Sequence, residues 1–235
     1  MYCLLRSQWF ADQLRADQRP KLMHGDTLTA ATVFGQAREL VRSRGASAVF
    51  LTGATSKIGR AVALRLAADG VTVYLYTESE ERFARIQAEA GAARERLHWA
   101  PTLLDLSRCD VCVTGKGTGG ARLLAQAKPG TVFVNFSVPD PLSSTLLSAG
   151  DVEHHDGGLL AYDREATTLS FGMRLAVGQT YACHAWLLVC AANGWTQRDE
   201  LGPVDVAALD TFWRASEATG LTRTPMTSAD NATAA

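Results

Sequence analysis

The run Val49-Phe50-Leu51-Thr52-Gly53-Ala54-Thr55-Ser56-Lys57-Ile58-Gly59-Arg60 confines this chain to a small set of folds. An apolar stretch suited to a short buried strand enters a tight glycine turn at Thr52-Gly53, and a helix opens between Lys57 and Gly59. The first amides of a helix lack intrahelical partners, and the helix dipole favours negative charge at that end. A small-residue turn lets the backbone come close, so the geometry suits a pyrophosphate. Val71–Thr77 supplies a second strand about 20 residues on, completing the βαβ unit that such a turn requires. The expectation is a nicotinamide dinucleotide site built from Thr52, Gly53, Thr55, Ser56, Lys57, Ile58 and Gly59.

Further strands are expected at His98-Trp99, Cys109–Thr114 and Thr131–Asn135, with helices at Lys57–Ala68, Glu80–Ala90 and Ala121–Ala127. All-apolar strands alternating with helices predict an α/β domain, a Rossmann-like, mostly parallel sheet with helices on both faces. A helix from about Leu28 to Arg44, capped by Asp26 or Thr27, precedes the first strand. After Pro139 and Pro141, Asp151–His155, Gly158–Tyr162 and Thr168–Gly172 read as short antiparallel strands. Helices at Tyr181–Ala192 and about Val204–Thr219 make a C-terminal helical cap. The expected organisation is a lead-in over 1–22, the domain over 23–221, and a disordered Thr/Ser/Asp/Ala tail over 222–235.

A net charge of −1 over 235 residues gives no electrostatic case for nucleic acid. Five cysteines, an odd number without a disulfide-like spacing, fit reduced thiols and a cytoplasmic setting. No apolar run reaches the ~20 residues of a transmembrane helix, and the N-terminus does not read as a secretory signal.

The end of the second strand bears on cofactor choice. Glu78 there suits the ribose hydroxyl of NAD(H), whereas Thr77, Ser79 and Arg82 suit the 2′-phosphate of NADP(H). NADP(H) is the expectation, with NAD(H) open. Thr114 and Gly115, opening the turn Gly115–Gly120, would let a cofactor lie across the sheet; a pure turn role fits them as well. A Tyr-x-x-x-Lys proton donor is excluded, because none of Lys21, Lys57, Lys116 and Lys128 follows a tyrosine by four positions. His154 and His155 are adjacent on a strand and face opposite ways, which argues against a shared metal. Cys183, in the first turn of its helix, would have its thiol pKa lowered by the dipole, and His184 beside it could act as an acid. The alternative for both is an ordinary place in an Ala-rich helix.

Five blocks occur in order: HGDTLTAA (His24–Ala31), VFLTGATSKIGRAVALRL (Val49–Leu66), ERFARIQAEA (Glu81–Ala90), ACHA (Ala182–Ala185) and GWTQRDELGPVDVAALDTFWRASEATGL (Gly194–Leu221). Together they resemble the C-terminal domain of the plant ECERIFERUM wax proteins, associated with very-long-chain aldehyde and alkane formation. A fainter similarity is to cyanobacterial acyl-carrier-protein reductases. In the wax family a membrane domain with histidine clusters precedes this region; the five histidines here are scattered. The family's small residues after the Cys-His pair are replaced by Trp186-Leu187-Leu188. The resemblance implies an NADP(H)-dependent fatty acyl thioester reductase. Cys183 would take the acyl group from acyl-CoA or acyl carrier protein, and the aldehyde would pass to a membrane-bound, hydroxylase-like partner. It also implies a location at the cytoplasmic face of the endoplasmic reticulum. The rival reading is a non-catalytic cofactor-binding or interaction subunit of a membrane-bound aldehyde-decarbonylating complex.

Overall fold

The computed structural model describes residues 25–115, 118–137, 152–163, 175–195 and 202–224. The described residues open with helix α1 (Asp26–Arg44), then strand β1 (Ala48–Leu51), α2 (Lys57–Ala68), β2 (Thr72–Tyr76), α3 (Glu80–Glu89), β3 (Leu97–Ala100), β4 (Val111–Thr114), α4 (Gly120–Leu124) and β5 (Val132–Asn135). It continues with β6 (Glu153–Asp156), β7 (Leu159–Tyr162), β8 (Gln179–Tyr181), α5 (Ala182–Ala192), α6 (Leu209–Ala218) and β9 (Leu221–Arg223).

Six strands form one parallel sheet in the order β3-β2-β1-β4-β5-β6. That order reverses direction between β1 and β4, and in such sheets the crevice beyond the carboxyl ends of the strands opens at the reversal. Strands β1, β4 and β5 are buried throughout, as a sheet covered on both faces demands. Alternate residues divide between two cores. Val49, Leu51, Val73, Val111, Val113 and Val134 meet α1 and α2, while Phe50, Cys112 and Phe133 meet Leu103, Leu106 and Leu123 on the other side.

Helix α1 belongs to the sheet core. Ala30, Val33, Phe34, Ala37 and Leu40 are all buried in it. The helix begins at Gly25, which is left-handed (φ 66°), and no side chain caps it. The expected Asp26 or Thr27 cap is therefore corrected: both lie inside the first turn and are buried. At its other end Gly45, also left-handed, returns its N–H to Arg42 and closes the helix. Phe34 lies between the guanidinium groups of Arg38 and Arg65, 4.9 and 5.2 Å from its ring centre. Arg65 also bonds Asp210 of α6 at 2.7 Å, tying α2 to the cap.

The region after Pro141 departs from the expected pattern. β6 pairs parallel with β5 and is the sixth strand of the main sheet, not an antiparallel ribbon. The antiparallel pairing begins at β7, which lies between β8 and β9 in a separate three-stranded sheet. The strand expected at Thr168–Gly172 falls outside the described residues. Folded structure also runs past 221: Thr222 and Arg223 pair with β7, so those two residues do not belong to a tail. The cap core gathers Trp186, Trp195 and Phe212 in edge-to-face and tilted contacts with ring centres 4.5–6.0 Å apart. Trp186 is fully buried there.

If α1 completes the sheet core, Phe34→Ala should cost about 3–5 kcal/mol, read as a fall in the urea midpoint. A near-neutral result would mean that α1 is only loosely attached.

Candidate functional site at the carboxyl edge of the sheet

The glycine turn and the strand ends beside it form the floor of the crevice. Gly53 has φ 69°, a conformation in which a side chain is strained. Ser56 N–H bonds the Gly53 carbonyl at 2.9 Å, and Ser56 Oγ caps α2 by accepting the Gly59 N–H at 3.1 Å. A methyl group at Gly59 would collide with the Gly53 carbonyl, so the helix packs against its own turn only because that position is bare. α2 thus opens at the carboxyl edge, beside the β1/β4 reversal. Thr55 and Ser56 are exposed there, Lys57 is half-buried, and Ile58 packs into the main core.

The hydroxyl of Thr52 joins β1 to β4. It accepts the Gly115 N–H at 3.0 Å, and Thr52 N–H donates to Val113 at 2.9 Å. Thr114 Oγ donates to Asn135 Oδ1 at 3.2 Å. That oxygen also accepts Ser137 N–H at 3.1 Å, while Asn135 Nδ2 donates to the Ser137 carbonyl at 3.2 Å. Thr52 and Thr114 therefore lock strand ends together rather than offering their hydroxyls to a ligand. Gly115 leaves room for the Phe136 ring, which a methyl group would strike. Ser137 is 6% exposed, and its buried Oγ has no hydrogen-bond partner among the described residues, beside the crevice.

At the end of β2, Thr77 is buried. Its Oγ accepts the Ser79 N–H at 3.2 Å and its carbonyl accepts Trp99 Nε1 at 2.8 Å. Ser79 caps α3 through the Arg82 N–H at 3.3 Å. Glu78 and Arg82 are both exposed at this edge.

Cys183 lies at the other end of the same edge, in the first turn of α5. Gly157 and Gly158, which follow β6, tie it to the sheet: Gly157 N–H bonds the Asn135 carbonyl, and the Gly158 carbonyl accepts Ala182 N–H at 2.9 Å. Gly25 sits against the Cys183 backbone so closely that a methyl group there would overlap it. The first and fourth of the five sequence blocks thus meet in space. Asp26, 1% exposed, lies beside the thiol, and Tyr181 and Asp156 are near. The exposed His184 ring stands edge-on to Tyr181, with centres 5.8 Å apart.

The electrostatics reverse the expected thiol chemistry. Burial and the Asp26 carboxylate push the Cys183 pKa up, and backbone hydrogen bonds only partly offset them. The expected dipole-stabilised thiolate is corrected to a neutral thiol. Tyr181 is also pushed up, by burial first and then by Asp156 and Cys183. Among the described residues no group of His, Cys, Asp and Glu is arranged to hold a metal ion.

Sequence reasoning passed over Gly25, Asn135 and Ser137, and treated Asp26 only as a cap. The sole signal for Gly25 and Asp26 was their place in the HGDTLTAA block. Nothing in the sequence marks Asn135 or Ser137 apart from their place at the end of an apolar strand.

A parallel sheet of this order, with a glycine turn at its reversal point, defines a Rossmann-like α/β domain. The chain belongs to the family described as CER1-like, C-terminal domain, whose profile matches residues 49–223. A rice protein named very-long-chain aldehyde decarbonylase GL1-2 (Oryza sativa subsp. indica) is 32% identical over 206 residues, covering 87% of this chain and 31% of its own. Very-long-chain aldehyde decarbonylase GL1-1 (Oryza sativa subsp. japonica) is 33% identical over 205 residues, covering 86% and 31%. The chain thus spans about a third of the length of these relatives. Among solved structures, the yhdH oxidoreductase from Salmonella enterica in complex with NADP is 16% identical with a TM-score of 0.38, over 54% of this chain and 43% of that one. A likeness of that degree carries no argument about this chain's ligand.

These relatives overturn the expected fatty acyl thioester reductase: they are named for decarbonylating an aldehyde, not for making one from a thioester. The acyl-accepting role expected of Cys183 was tied to that activity.

With Cys183 neutral, its alkylation, followed on the Cys183 peptide by mass spectrometry, should be slow at pH 7.5 and still rising above the ordinary thiol value of 9.0. Because the Asp26 charge raises that pKa, Asp26→Asn should speed alkylation at a given pH. Unchanged rates in the variant would show that the carboxylate does not face the thiol.

Proposed function

We propose that this chain is a nicotinamide dinucleotide-binding domain serving very-long-chain aldehyde decarbonylation, with a membrane-bound, hydroxylase-like partner carrying the remaining chemistry. The observation that carries the dinucleotide reading is the glycine turn with its helix at the point where the strand order reverses. The residues fit such a group. The turn is left-handed at Gly53, Lys57 can meet a phosphate where a further glycine would give closer approach, and Ser137 Oγ has no hydrogen-bond partner among the described residues. The link to aldehydes comes from family membership and from the names of the rice relatives.

In this reading Gly53, Ser56 and Gly59 shape the turn through their own hydrogen bonds and packing, Thr55 and Lys57 meet the pyrophosphate, and the amino end of α2 stabilises its charge. Glu78 and Arg82 meet the adenosine ribose, with Arg82 suiting the extra phosphate of NADP(H). A bound nicotinamide cofactor supplies reducing equivalents. Cys183 and His184 lie where α1 begins, at the same edge of the sheet as the turn. There the neutral thiol and the imidazole line the end at which a substrate would sit. No described helix is long and apolar enough to cross a membrane. The chain would thus reach a membrane-borne aldehyde from the cytoplasmic face of the endoplasmic reticulum, through its partner.

Titrating the purified chain with NADPH and NADH by nucleotide fluorescence tests the cofactor reading. NADPH should bind, Lys57→Gln should weaken it about tenfold as one charge-assisted contact is lost, and Arg82→Ala should weaken NADPH far more than NADH. Absence of binding to either nucleotide would overturn the reading. With the nucleotide bound, the chain should convert a very-long-chain aldehyde only when the membrane partner is added.

A further inference from the structure

Helix α1 starts beside Cys183 at the carboxyl edge and ends at Arg44, which pairs with Glu153 at the opposite end of β6. Its second half therefore lies away from the glycine turn, and there Gly35, Arg38, Glu39, Arg42, Ser43 and Arg223 line an open groove of about 470 Å³. Arg38 and Arg42 are four residues apart and share a helix face. Arg223 enters from β9. Its guanidinium lies against Gly35, where a methyl group would strike it, and stacks 3.9 Å from the centre of the Trp213 ring.

This guanidinium is held in place but not satisfied. Its Nε is buried without a hydrogen-bond partner among the described residues. Burial lowers its pKa, with Glu39 and Glu217 working against that, yet arginine remains protonated. The Glu39 carboxylate stands 3.7 Å from Arg223 Nη1, and Asp69, which also pairs with Arg65, stands 3.6 Å from Arg38. Both distances are beyond a good hydrogen bond. Arg42 has no ion-pair partner among the described residues. Ser43 already donates its hydroxyl to the Leu40 carbonyl at 3.3 Å and only forms a wall.

The geometry points to a phosphate-ester site in this groove, in which Arg42 and Arg223, flanked by Arg38, hold the oxygens of a mono- or diester. A carboxylate has two oxygens and suits one guanidinium, whereas three guanidinium groups lining one groove suit a tetrahedral anion. The same chemistry is offered by a soluble phosphate ester and by an anionic lipid headgroup. The site is independent of the dinucleotide reading and does not share residues with it.

The test is calorimetric titration of the purified chain with inorganic phosphate at low salt, then co-sedimentation with phosphatidylcholine vesicles with and without phosphatidic acid. Phosphate should bind, and Arg42→Gln, at an exposed position, should weaken it about tenfold, as expected for one charge-assisted contact. Arg223→Lys, which keeps the charge but loses the fork, should weaken it too. Arg85→Gln, on the exposed face of α3, should leave it unchanged, and any phosphate lost in Lys57→Gln alone belongs to the glycine turn. Vesicle binding that requires phosphatidic acid and Arg42 assigns the site to a lipid headgroup; phosphate binding without vesicle binding assigns it to a soluble ester. Failure of phosphate to bind, loss in Lys57→Gln but not in Arg42→Gln, or binding of polyglutamate in place of phosphate would each overturn the proposal.

Discussion

The structure depends on covering both faces of one parallel sheet. Right-handed connections place α2 and α3 over the β1-β2-β3 half of one face and send the chain beyond β4 across the other face. That handedness leaves the β4-β5 side of the first face bare. Helix α1 fills it, which is why a segment preceding β1 is buried as deeply as the strands it covers. The same packing fixes the two ends of α1. Gly25 is pressed against Cys183 at the carboxyl edge, and Arg38 and Arg42 are left facing β9 at the other end.

Three strand ends then form the floor of the crevice through hydrogen bonds that bring β1, β4 and β5 into step. Thr52 meets Gly115, and Thr114 meets Asn135. Hydroxyls that sequence reasoning assigned to a cofactor are used here to set the positions of glycine backbones and of Phe136. What remains for a ligand is the open turn with the start of α2, the exposed pair Glu78 and Arg82, and the Ser137 hydroxyl.

At the β6 end a thiol sits beside a buried carboxylate. A cysteine in a helix's first turn is commonly expected to ionise easily, but the dipole acts on a group that must also be solvated. Here desolvation and the like charge of Asp26 win, because α1 brings that carboxylate to the thiol from more than 150 residues away in the chain. The correction of the thioester reductase rests on the aldehyde chemistry in the relatives' names.

Local pattern determined much of this protein. The strand, turn and helix at Val49–Ala68, the glycine at 59, the apolar strand at Val132–Asn135 and the helix carrying Cys183 follow from periodicity and turn chemistry, which act over a few residues. The ordered blocks carried the family. Tertiary structure decided the rest, because it depends on partners distant in sequence. Glu153–Asp156 joins the main sheet since β5 presents a parallel edge to it, Thr222 and Arg223 gain order only by pairing with β7, and Asp26 is buried by Cys183 rather than capping its helix. The ionisation of Cys183 and the convergence of Arg38, Arg42 and Arg223 belong to the same class, since desolvation and charge coupling depend on distances that only the packed chain possesses.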